Sequence, residues 1–206
     1  MQILTMEQGS PEWWAAKCGV VSSSKFSDAT AKGRGKEPSK TRLSYLKELA
    51  CQRITGRIQD GYSNAWMQRG TELEPQARAM LELDKGFNVT HVGFIKMNDD
   101  VGCSTDGLIG DDAVLEIKCP KHTTHLDYLI DRDLLYTDYK TQVQGELFVT
   151  GRKKVYLCSF HPDFSAGKDL IVLEIERDDV FIKALETEIF TFVHELKKLV
   201  KQIKGE

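Results

Sequence analysis

The segment VGCSTDGLIGDDAVLEIKC, residues 101–119, decides the fold of this 206-residue chain. Two stretches rich in apolar residues, Gly102 to Ile109 and Ala113 to Cys119, flank the turn sequence Gly110-Asp111-Asp112. The segment therefore predicts a β-hairpin whose turn is centred near Asp111.

Three charged side chains of this hairpin are predicted to lie together. If the turn is centred near Asp111, Asp106 lies opposite Glu116, and such neighbours have Cβ atoms roughly 4.5–5.5 Å apart. Side chains alternate between faces, so Lys118 shares the face of Glu116. Two carboxylates that close repel each other unless a cation lies between them, and Mg²⁺ prefers oxygen ligands. The spacing predicts a Mg²⁺ site suited to phosphodiester chemistry, with Lys118 orienting a water or offsetting charge.

A solvated acidic hairpin with an exposed lysine is the alternative interpretation, because acid-X-Lys is common on strands. Leu115 and Ile117 alternate with Glu116 and Lys118 and indicate one buried face. A buried face leaves the polar face in a fixed position, which favours the metal site.

The composition predicts one folded domain over residues 1–206, with an N-terminal helical part (1–85) and a metal-binding sheet-and-helix core (86–206). The chain is 41% hydrophobic, enough for one good core. We expect no membrane span and no secretion signal, because long apolar runs and a basic leader are absent from the sequence. The five cysteines are scattered without a CxxC pair, which is typical of free thiols in a reducing cytoplasm and argues against zinc.

The net charge of −3 conceals a separation of charge along the chain. Residues 32–57 contain eight basic and two acidic side chains, whereas residues 98–118 contain six acidic side chains and one basic. A basic arm beside an acidic pocket is suited to a metal-dependent enzyme that acts on a polyanion. A solvated helix face is the alternative explanation of the basic arm.

The order of predicted elements is helices, a three-stranded meander, helices, two strands and a helix. This order predicts a mixed α/β fold with a central mixed sheet flanked by helices. Predicted helices cover 10–17, a short helix from 22, 39–55, 64–84 as one helix or two, 122–132, 138–149 and 178–204; predicted strands cover 88–97, 102–109, 113–119, 154–160 and 170–176.

Two further polar groups are candidates for the site. Glu72 and Glu74 are two residues apart on a predicted helix, so at most one of them reaches the hairpin, and a surface salt bridge is the alternative. Gln142 and Gln144 lie on an otherwise amphipathic helix, where a glutamine can contact water or phosphate without adding charge. An ordinary surface helix is the alternative for this pair.

The N-terminal region offers candidates for contacts with phosphate and bases. Ser22-Ser23-Ser24 at a helix start, with Lys17 upstream, can bind a phosphate through hydroxyls and backbone N–H groups. Plain N-capping is the alternative, although it accounts for one serine rather than three. Trp66 and Met67 precede Arg69 and can act as an apolar wedge between bases or belong to the core.

Taken in order, these motifs resemble the phage lambda exonuclease family, also called YqaJ-type viral recombinases, within the PD-(D/E)XK nuclease superfamily. The matching motifs extend over nearly the whole chain: WW (13–14), GVVSSS (19–24), GTELE (70–74), CSTDGL (103–108), LEIKCP (115–120), QVQ (142–144) and VLEIERD (172–178). Several collinear motifs are far more specific than the hairpin alone.

The resemblance implies a PD-(D/E)XK restriction-endonuclease-like core and an Mg²⁺-dependent, ATP-independent, processive 5′→3′ exonuclease. Such an enzyme digests double-stranded DNA from an end, releases mononucleotides and leaves a 3′ overhang. It also implies two Mg²⁺ ions per site with Mn²⁺ as a substitute, a homotrimeric ring, and a single-strand annealing recombinase as partner. The location implied is the cytoplasm of a bacterial host, with the gene carried by a phage or prophage.

The resemblance also implies a role for individual residues. The catalytic set is Lys118, Glu116, Asp106, Glu74 and Gln142, of which Asp106, Glu116, Glu74 and the Ile117 carbonyl hold metal. The remaining roles are 5′-phosphate binding by Ser24, Lys17 and Ser22, DNA binding by Arg34, Lys36 and Gln144, and strand splitting by Met67 with Trp66.

The chain departs from the family pattern at three positions. Lys17 stands where an arginine is usual and offers a point charge instead of a bidentate fork. Thr105 replaces a proline before Asp106. The superfamily often carries tyrosine four residues after its motif glutamine, but Glu146 follows Gln142 here, so the choice between Gln142 and Gln144 stays open. The alternative functions are a structure-specific or restriction-like endonuclease and a non-catalytic DNA-binding module.

Overall fold

The computed structural model describes residues 1–33, 39–59, 65–165 and 167–205, with residues 65–67 described only as part of a helix. In chain order the elements are β1 (Gln2–Leu4), α1 (Pro11–Lys17), β2 (Val21–Ser22), a 3₁₀ turn (Ser23–Lys25), α2 (Phe26–Ala29), α3 (Lys40–Thr55), α4 (Ala65–Lys85), β3 (Val89–Thr90), β4 (Phe94–Lys96), β5 (Val101–Cys103), β6 (Gly107–Ile109), β7 (Ala113–Lys118), α5 (His122–Ile130), α6 (Arg132–Thr150), β8 (Lys154–Phe160), β9 (Leu170–Glu176) and α7 (Asp179–Lys204).

The strands form two mixed sheets flanked by helices, which confirms the predicted fold class. The larger sheet has the order β3-β6-β7-β8-β9, with β7 and β8 parallel and the other neighbours antiparallel. The smaller sheet has the order β1-β4-β5-β2, with β2 and β5 parallel. The sequence predicted a single central sheet, so the second sheet is an addition to the prediction.

Two predicted strands are each divided between the two sheets. Residues 88–97 form β3 and β4, and residues 102–109 form β5 and β6. Side chains from the N-terminal segment bind the backbone at the two crossings, the points where these segments pass from one sheet to the other. Trp13 donates to the Gly93 carbonyl at 2.9 Å, and Gln8 donates to the Thr105 carbonyl at 3.0 Å. These long-range bonds satisfy backbone groups that leave the ladders, and no local pattern in the sequence encodes them.

Close approach of the backbone explains a glycine at one of these crossings. A Cβ atom on Gly93 would lie 2.0 Å from the Met6 carbonyl oxygen, so any larger residue would force the backbone to move. Gly107 is similarly constrained, because a Cβ atom there would meet the Val89 side chain at 2.2 Å. Gly93 therefore lets the N-terminal segment approach the backbone between β3 and β4, and Gly107 lets β6 pair with β3 directly after Asp106.

Helix α4 is continuous from Ala65 to Lys85, so the single-helix alternative is the one the structure shows. Pro75 lies inside this helix and is exposed, with Gly70 one turn before it. Helix α6 begins at Arg132, earlier than predicted, because the Asp131 side chain caps it by accepting from the Asp133 N–H at 3.0 Å.

Strand β7 is buried on both faces, including the polar face that the sequence predicted to carry the site. Val114 and its neighbours on β8 pack with α3, α6 and α7, whereas Leu115 and Ile117 pack with Ala77 and Leu81 of α4. Glu116 lies on the first of these faces and is only 4% exposed. A solvated acidic hairpin is thereby excluded, and the polar groups of the hairpin need partners inside the protein.

None of the helices in the described ranges is long and apolar enough to cross a membrane.

Candidate active site

The β6–β7 ladder brings Asp106 and Glu116 together as predicted. Gly107 pairs with Leu115, so Asp106 and Glu116 are the next residues along the two chains, and the Asp106 N–H donates to the Leu115 carbonyl at 3.0 Å. The Ile117 N–H donates to Oδ2 of Asp106 at 2.5 Å. This bond fixes the Asp106 carboxylate beside the end of β7, where Glu116 and Lys118 also lie.

Lys118, Glu116 and Gln142 form a closed hydrogen-bonded network. Nζ of Lys118 donates to Oε1 of Glu116 at 2.6 Å and to Oε1 of Gln142 at 3.1 Å. Nε2 of Gln142 donates to the same Glu116 oxygen at 2.6 Å. Although burial alone would lower the pKa of Lys118, the neighbouring carboxylates of Glu116 and Asp106 raise it, so this amine stays protonated at neutral pH.

Helix α4 contributes a third carboxyl group to this region. Burial and the charge of Glu116 raise the pKa of Glu74. Burial, Glu116 and Glu74 raise the pKa of Asp106 well above its usual range. Glu72, two residues before Glu74, is exposed, which agrees with the expectation that at most one of the pair approaches the hairpin.

The donor set fits a divalent metal ion. Oε2 of Glu116 is buried and has no hydrogen-bond partner among the described residues, while its Oε1 is taken by Lys118 and Gln142. Burial and the charge of Glu116 raise the pKa values of Asp106 and Glu74, and a cation between these carboxyl groups would favour their ionised forms. Hard oxygen donors of this kind suit Mg²⁺.

A fourth carboxyl group, Glu146, was not assigned to the site from the sequence. It is fully buried on α6, and its Oε1 accepts from Nε2 of Gln142 at 3.0 Å. Burial and Glu116 raise its pKa well above the usual range. The available signal was its position one helical turn after Gln142, which places the two side chains on one helix face.

A cavity of about 970 Å³ borders the carboxylates. Asp106 and Glu74 form part of its wall, together with Trp13, Trp14 and Arg78. Trp14 is 42% exposed, so an aromatic face is available beside a cation and two carboxyl groups. This combination of ring surface and charge can accommodate a nucleotide.

The predicted phosphate-binding group has one exposed hydroxyl and one half-buried amine. Ser24 is exposed, whereas Ser22 is buried and its N–H donates to the Tyr45 hydroxyl at 3.3 Å. The Ser22 side chain makes no helix-capping bond, so capping does not explain the serine run. Nζ of Lys17 lies 4.4 Å from the centre of the Trp13 ring, and burial together with Lys25 lowers its pKa.

The sequence did not single out Lys25, whose positive charge lowers the pKa of Lys17. Lys25 is half-exposed and pairs with Asp28 at 2.8 Å. The charge of Lys25 lowers the pKa of Lys17, and two neighbouring amines of this kind are suited to an anion, so Lys25 belongs with Lys17 and Ser24 in this group.

Gln144 does not face the site. It is fully buried, its Nε2 donates to the Glu176 carbonyl at 2.9 Å and to the Tyr136 hydroxyl at 3.2 Å, and its Oε1 accepts from the Asp178 N–H at 2.9 Å. The bonds to Glu176 and Asp178 join α6 to the β9–α7 connection, and the bond to Tyr136 lies within α6. The expectation that Gln144 contacts DNA is corrected on this ground, and Gln142 is the glutamine that reaches the carboxylates.

The remaining predicted DNA contacts are not described in atomic detail. Arg34 and Lys36 lie outside the described residues. Trp66 and Met67 fall in the first turn of α4, and their side chains also lie outside the description. Their predicted roles therefore stay predictions.

The basic arm is partly engaged in structural ion pairs. Arg42 forms a bidentate pair with Glu195 at 2.7 and 3.0 Å, which ties α3 to α7. Arg53 lies 3.1 Å from Asp100 and donates to the Gly19 carbonyl. These two arginines stabilise the fold, so the basic arm is a weaker polyanion surface than its composition suggested.

A second polar cluster lies where β8 ends. Nε2 of His122 and Nδ1 of His161 lie 2.8 and 3.9 Å from the same oxygen of Asp163, a spacing that metal ligands can have. The Arg69 guanidinium is 3.0 Å from Nε2 of His161, and burial and that cation lower the pKa of His161. A nitrogen bonded to a guanidinium, in a positive environment, disfavours a metal ion, so we assign no metal to this cluster.

The two sheets, the flanking helices and the carboxylate–lysine site define an α/β protein of the PD-(D/E)XK nuclease fold. The chain belongs to the YqaJ-like viral recombinase domain family, whose model matches residues 12–153. This match confirms the resemblance inferred from the sequence motifs.

Solved structures are similar over almost the whole chain. An alkaline exonuclease (LHK-Exo) from Laribacter hongkongensis shares 36% identity with a TM-score of 0.85, covering 95% of this chain and 97% of that one. A structure of LHK-Exo in complex with dAMP gives 37% identity and a TM-score of 0.87 over the same shares. A phage-related exonuclease from Haemophilus somnus shares the fold at 14% identity, with a TM-score of 0.72 over 89% of this chain and 96% of that one. A comparison with curated proteins gave no match.

Proposed function

We propose that this chain is an Mg²⁺-dependent 5′→3′ exonuclease that digests double-stranded DNA from its ends, releases mononucleotides and leaves 3′ overhangs. The observation that carries the proposal is the convergence of Asp106, Glu116 and Glu74 on one partly buried cluster with Lys118 attached to it. A DNA exonuclease also agrees with membership of the YqaJ-like family and with the related alkaline exonuclease that has been crystallised with the mononucleotide dAMP.

The carboxylates of Asp106, Glu116 and Glu74, with the Ile117 carbonyl, would hold the metal, with two Mg²⁺ ions per site and Mn²⁺ as a substitute. When bound, Mg²⁺ polarises the phosphate and lowers the pKa of a coordinated water. The unpartnered oxygen of Glu116 supports its role as a ligand, because Oε1 can stay with Lys118 while Oε2 is available.

Lys118 would act as a charged donor beside the metal site. Its Nζ is held on Oε1 of Glu116, from where it can orient the attacking water or stabilise charge on the phosphate. Gln142 accepts from this ammonium and donates to Glu116, which holds Lys118 in position without adding charge.

The group of Lys17, Ser24, Ser22 and Lys25 would hold a terminal 5′-phosphate. The pKa of Lys17 is lowered by burial and by Lys25, and a bound phosphate would offset both effects. The 3₁₀ turn that carries Ser24 and Lys25 packs on α6, the helix of Gln142, and on β5, which leads to Asp106. Recognition of a 5′-end near the carboxylates supports the 5′→3′ direction.

The finer features of the activity follow the family pattern. We propose ATP-independent and processive digestion, a homotrimeric ring around DNA, and delivery of the 3′ overhang to a single-strand annealing recombinase. Arg34 and Lys36 would contact the strand and Met67 with Trp66 would separate the strands. The setting proposed is the cytoplasm of a bacterial host, with a phage or prophage origin.

Digestion of three matched DNA substrates tests the proposal. Linear duplex with a 5′-phosphate, the same duplex with a 5′-hydroxyl, and covalently closed circular duplex are incubated with Mg²⁺ and with EDTA. The proposal predicts mononucleotide release from linear DNA, fastest with the 5′-phosphate, and none with EDTA. Cutting of the closed circle would instead support the alternative, a structure-specific or restriction-like endonuclease on the same core.

A further inference from the structure

Glu146 is the one fully buried carboxyl group of the site for which neither metal binding nor phosphate chemistry has been proposed. It lies one turn after Gln142 on α6, and its Oε1 accepts from Nε2 of Gln142 at 3.0 Å. Its Oε2 is buried without a hydrogen-bond partner among the described residues. Such a group destabilises a protein core, because a buried polar atom without a partner costs about 1–3 kcal/mol. Its presence in the core therefore calls for a function other than stability.

The contacts of Gln142 show what Glu146 does. A primary amide has two N–H directions and one carbonyl oxygen. The nitrogen of Gln142 donates to Glu116 at 2.6 Å and to Glu146 at 3.0 Å, and its carbonyl oxygen accepts from Lys118 at 3.1 Å. Reversing the amide would place its oxygen against two carboxyl oxygens and its nitrogen against an ammonium. Glu116 alone leaves one N–H of Gln142 without a partner, so Glu146 completes the set that selects this orientation.

We propose that Glu146 is a positioning residue that fixes the side-chain amide of Gln142, and through it the placement of Lys118 on Glu116. The inference rests on the proposed hydrolysis of DNA and adds a residue to it. Glu146 acts through Gln142 and is not itself a ligand of the metal or a contact of the substrate. Glu146 stands where the superfamily often has tyrosine.

Two substitutions separate positioning from other roles. Glu146→Met removes the acceptor while nearly preserving side-chain length, and Glu146→Gln keeps a carbonyl acceptor at the same place. Residues that orient groups of a metal site typically change activity by about 10- to 100-fold when altered. We expect kcat for linear duplex to fall by about that factor in Glu146→Met, with KM for DNA unchanged and Tm unchanged or raised. Glu146→Gln should restore most of the loss.

A double-mutant cycle with Gln142→Ala tests whether Glu146 acts through Gln142. If it does, Glu146→Met causes no further loss of kcat when Gln142 is already alanine. If the two substitutions lower kcat independently, so that their effects multiply in the double variant, the proposal is overturned. A Glu146→Gln variant as impaired as Glu146→Met would overturn it as well, because the carboxylate charge itself would then be needed, as for a metal ligand. A fall in Tm with unchanged kcat in Glu146→Met would show that Glu146 has a structural role only, and would also overturn the proposal.

A spectroscopic measurement keeps this inference separate from the proposed function. The side-chain amide of Gln142, identified by its loss in Gln142→Ala, is followed by ¹⁵N–¹H NMR in the wild-type protein and in Glu146→Met. The proposal predicts a clear shift of the Gln142 amide resonances, and an unchanged position would contradict it. If wild-type protein fails to digest linear duplex, the proposed function fails, whereas the amide shift still reports whether Glu146 holds Gln142.

Discussion

Lys118 is joined to Glu116, two residues before it on the same strand face, by a 2.6 Å hydrogen bond to Oε1. The bond uses one oxygen of Glu116 and leaves the other, which is buried and has no partner among the described residues, for a cation. The same carboxylate can therefore hold a metal and a lysine at once. A metal on Glu116 would then have Lys118 beside it on the same strand, with no loop between them.

The first prediction concerns the ammonium group of Lys118. Replacement by Met should reduce the rate of DNA digestion by about 10²–10³-fold, the usual effect of removing one group that stabilises transition-state charge. Binding of duplex ends should persist, because other residues are proposed to hold the DNA. The measurement pairs a nuclease assay in Mg²⁺ with an end-binding assay in Ca²⁺ or EDTA.

Lys118→Arg is the informative control for this variant. Arginine keeps the charge but replaces the compact ammonium by a planar fork, so it should restore only part of the activity. Near wild-type digestion by Lys118→Met would exclude Lys118 from the chemistry.

The second prediction separates Gln142 from Gln144. Gln142→Ala should reduce digestion strongly, because this side chain binds Glu116, Lys118 and Glu146 within the site. It should reduce stability less than Gln144→Ala does, because Lys118 and Glu116 keep their mutual hydrogen bond. Gln144→Ala should lower the free energy of unfolding by about 2–4 kcal/mol, because it leaves buried backbone groups of the β9–α7 connection unpaired. For a chain of this size that corresponds to a fall in Tm of roughly 5–15 °C.

Thermal unfolding and a nuclease assay on both variants decide the point. A stable but inactive Gln144→Ala protein would reverse the assignment of the two glutamines. A Gln142→Ala protein that loses as much stability as Gln144→Ala would remove the distinction altogether.

Much of the site was predictable because it depends on local geometry. A tight turn fixes the register of a hairpin, so the position of Asp106 opposite Glu116 follows from the turn near Asp111. The alternation of side chains then places Lys118 beside Glu116. Metal binding itself remains a prediction, since the register establishes only that the groups converge.

Features that depend on long-range contacts were not predictable from one sequence. The splitting of residues 88–97 and 102–109 between two sheets depends on Trp13 and Gln8, which lie far away in the chain. Glu146 and Gln144 illustrate the same limit for side chains. Both lie near Gln142 on α6, yet only the packing of that helix on the larger sheet decides that Glu146 faces the carboxylates and Gln144 faces α7.

The third prediction concerns the stability of the metal-free protein as a function of pH. The pKa values of Asp106 and Glu74 are raised by burial and by neighbouring carboxylates, so the folded state binds protons more tightly than the unfolded state. The stabilising contribution is complete below the unfolded-state pKa of about 4 and is lost as the pH rises through the folded-state values. In EDTA these groups should therefore make the protein less stable as the pH rises above about 4.

Mg²⁺ or Mn²⁺ should offset this loss, because a cation favours the ionised carboxylates and binds only the folded state. The increase in Tm caused by the metal should grow with pH in the wild-type protein and be nearly absent in Asp106→Asn. In EDTA, Asp106→Asn should also lose less stability than the wild-type protein as the pH rises. A wild-type Tm that is insensitive to both metals at about pH 8 would refute the carboxylate site.

The fourth prediction concerns the amine of Lys17 in recognition of the DNA end. Lys17→Met removes a cation whose pKa is lowered by burial and by Lys25, and that lies over the Trp13 ring. The preference for a 5′-phosphate over a 5′-hydroxyl should fall by about tenfold, corresponding to about 1.4 kcal/mol. The dependence of end binding on salt should weaken by about one phosphate contact. Lys17→Arg, which restores a charge and adds a bidentate fork, should keep or increase the preference.

Lys201→Met is the matched control, since Lys201 is an exposed lysine on α7. This variant should retain the full preference for the 5′-phosphate, because removing an exposed surface charge changes the overall attraction to DNA but not recognition of the terminal group. Equal loss of the preference in Lys17→Met and Lys201→Met would mean that overall charge, and not a pocket, selects the end. Loss in Lys17→Met alone, with a smaller loss in Ser24→Ala, would place the terminal phosphate between these two side chains and so set the direction in which the strand is digested.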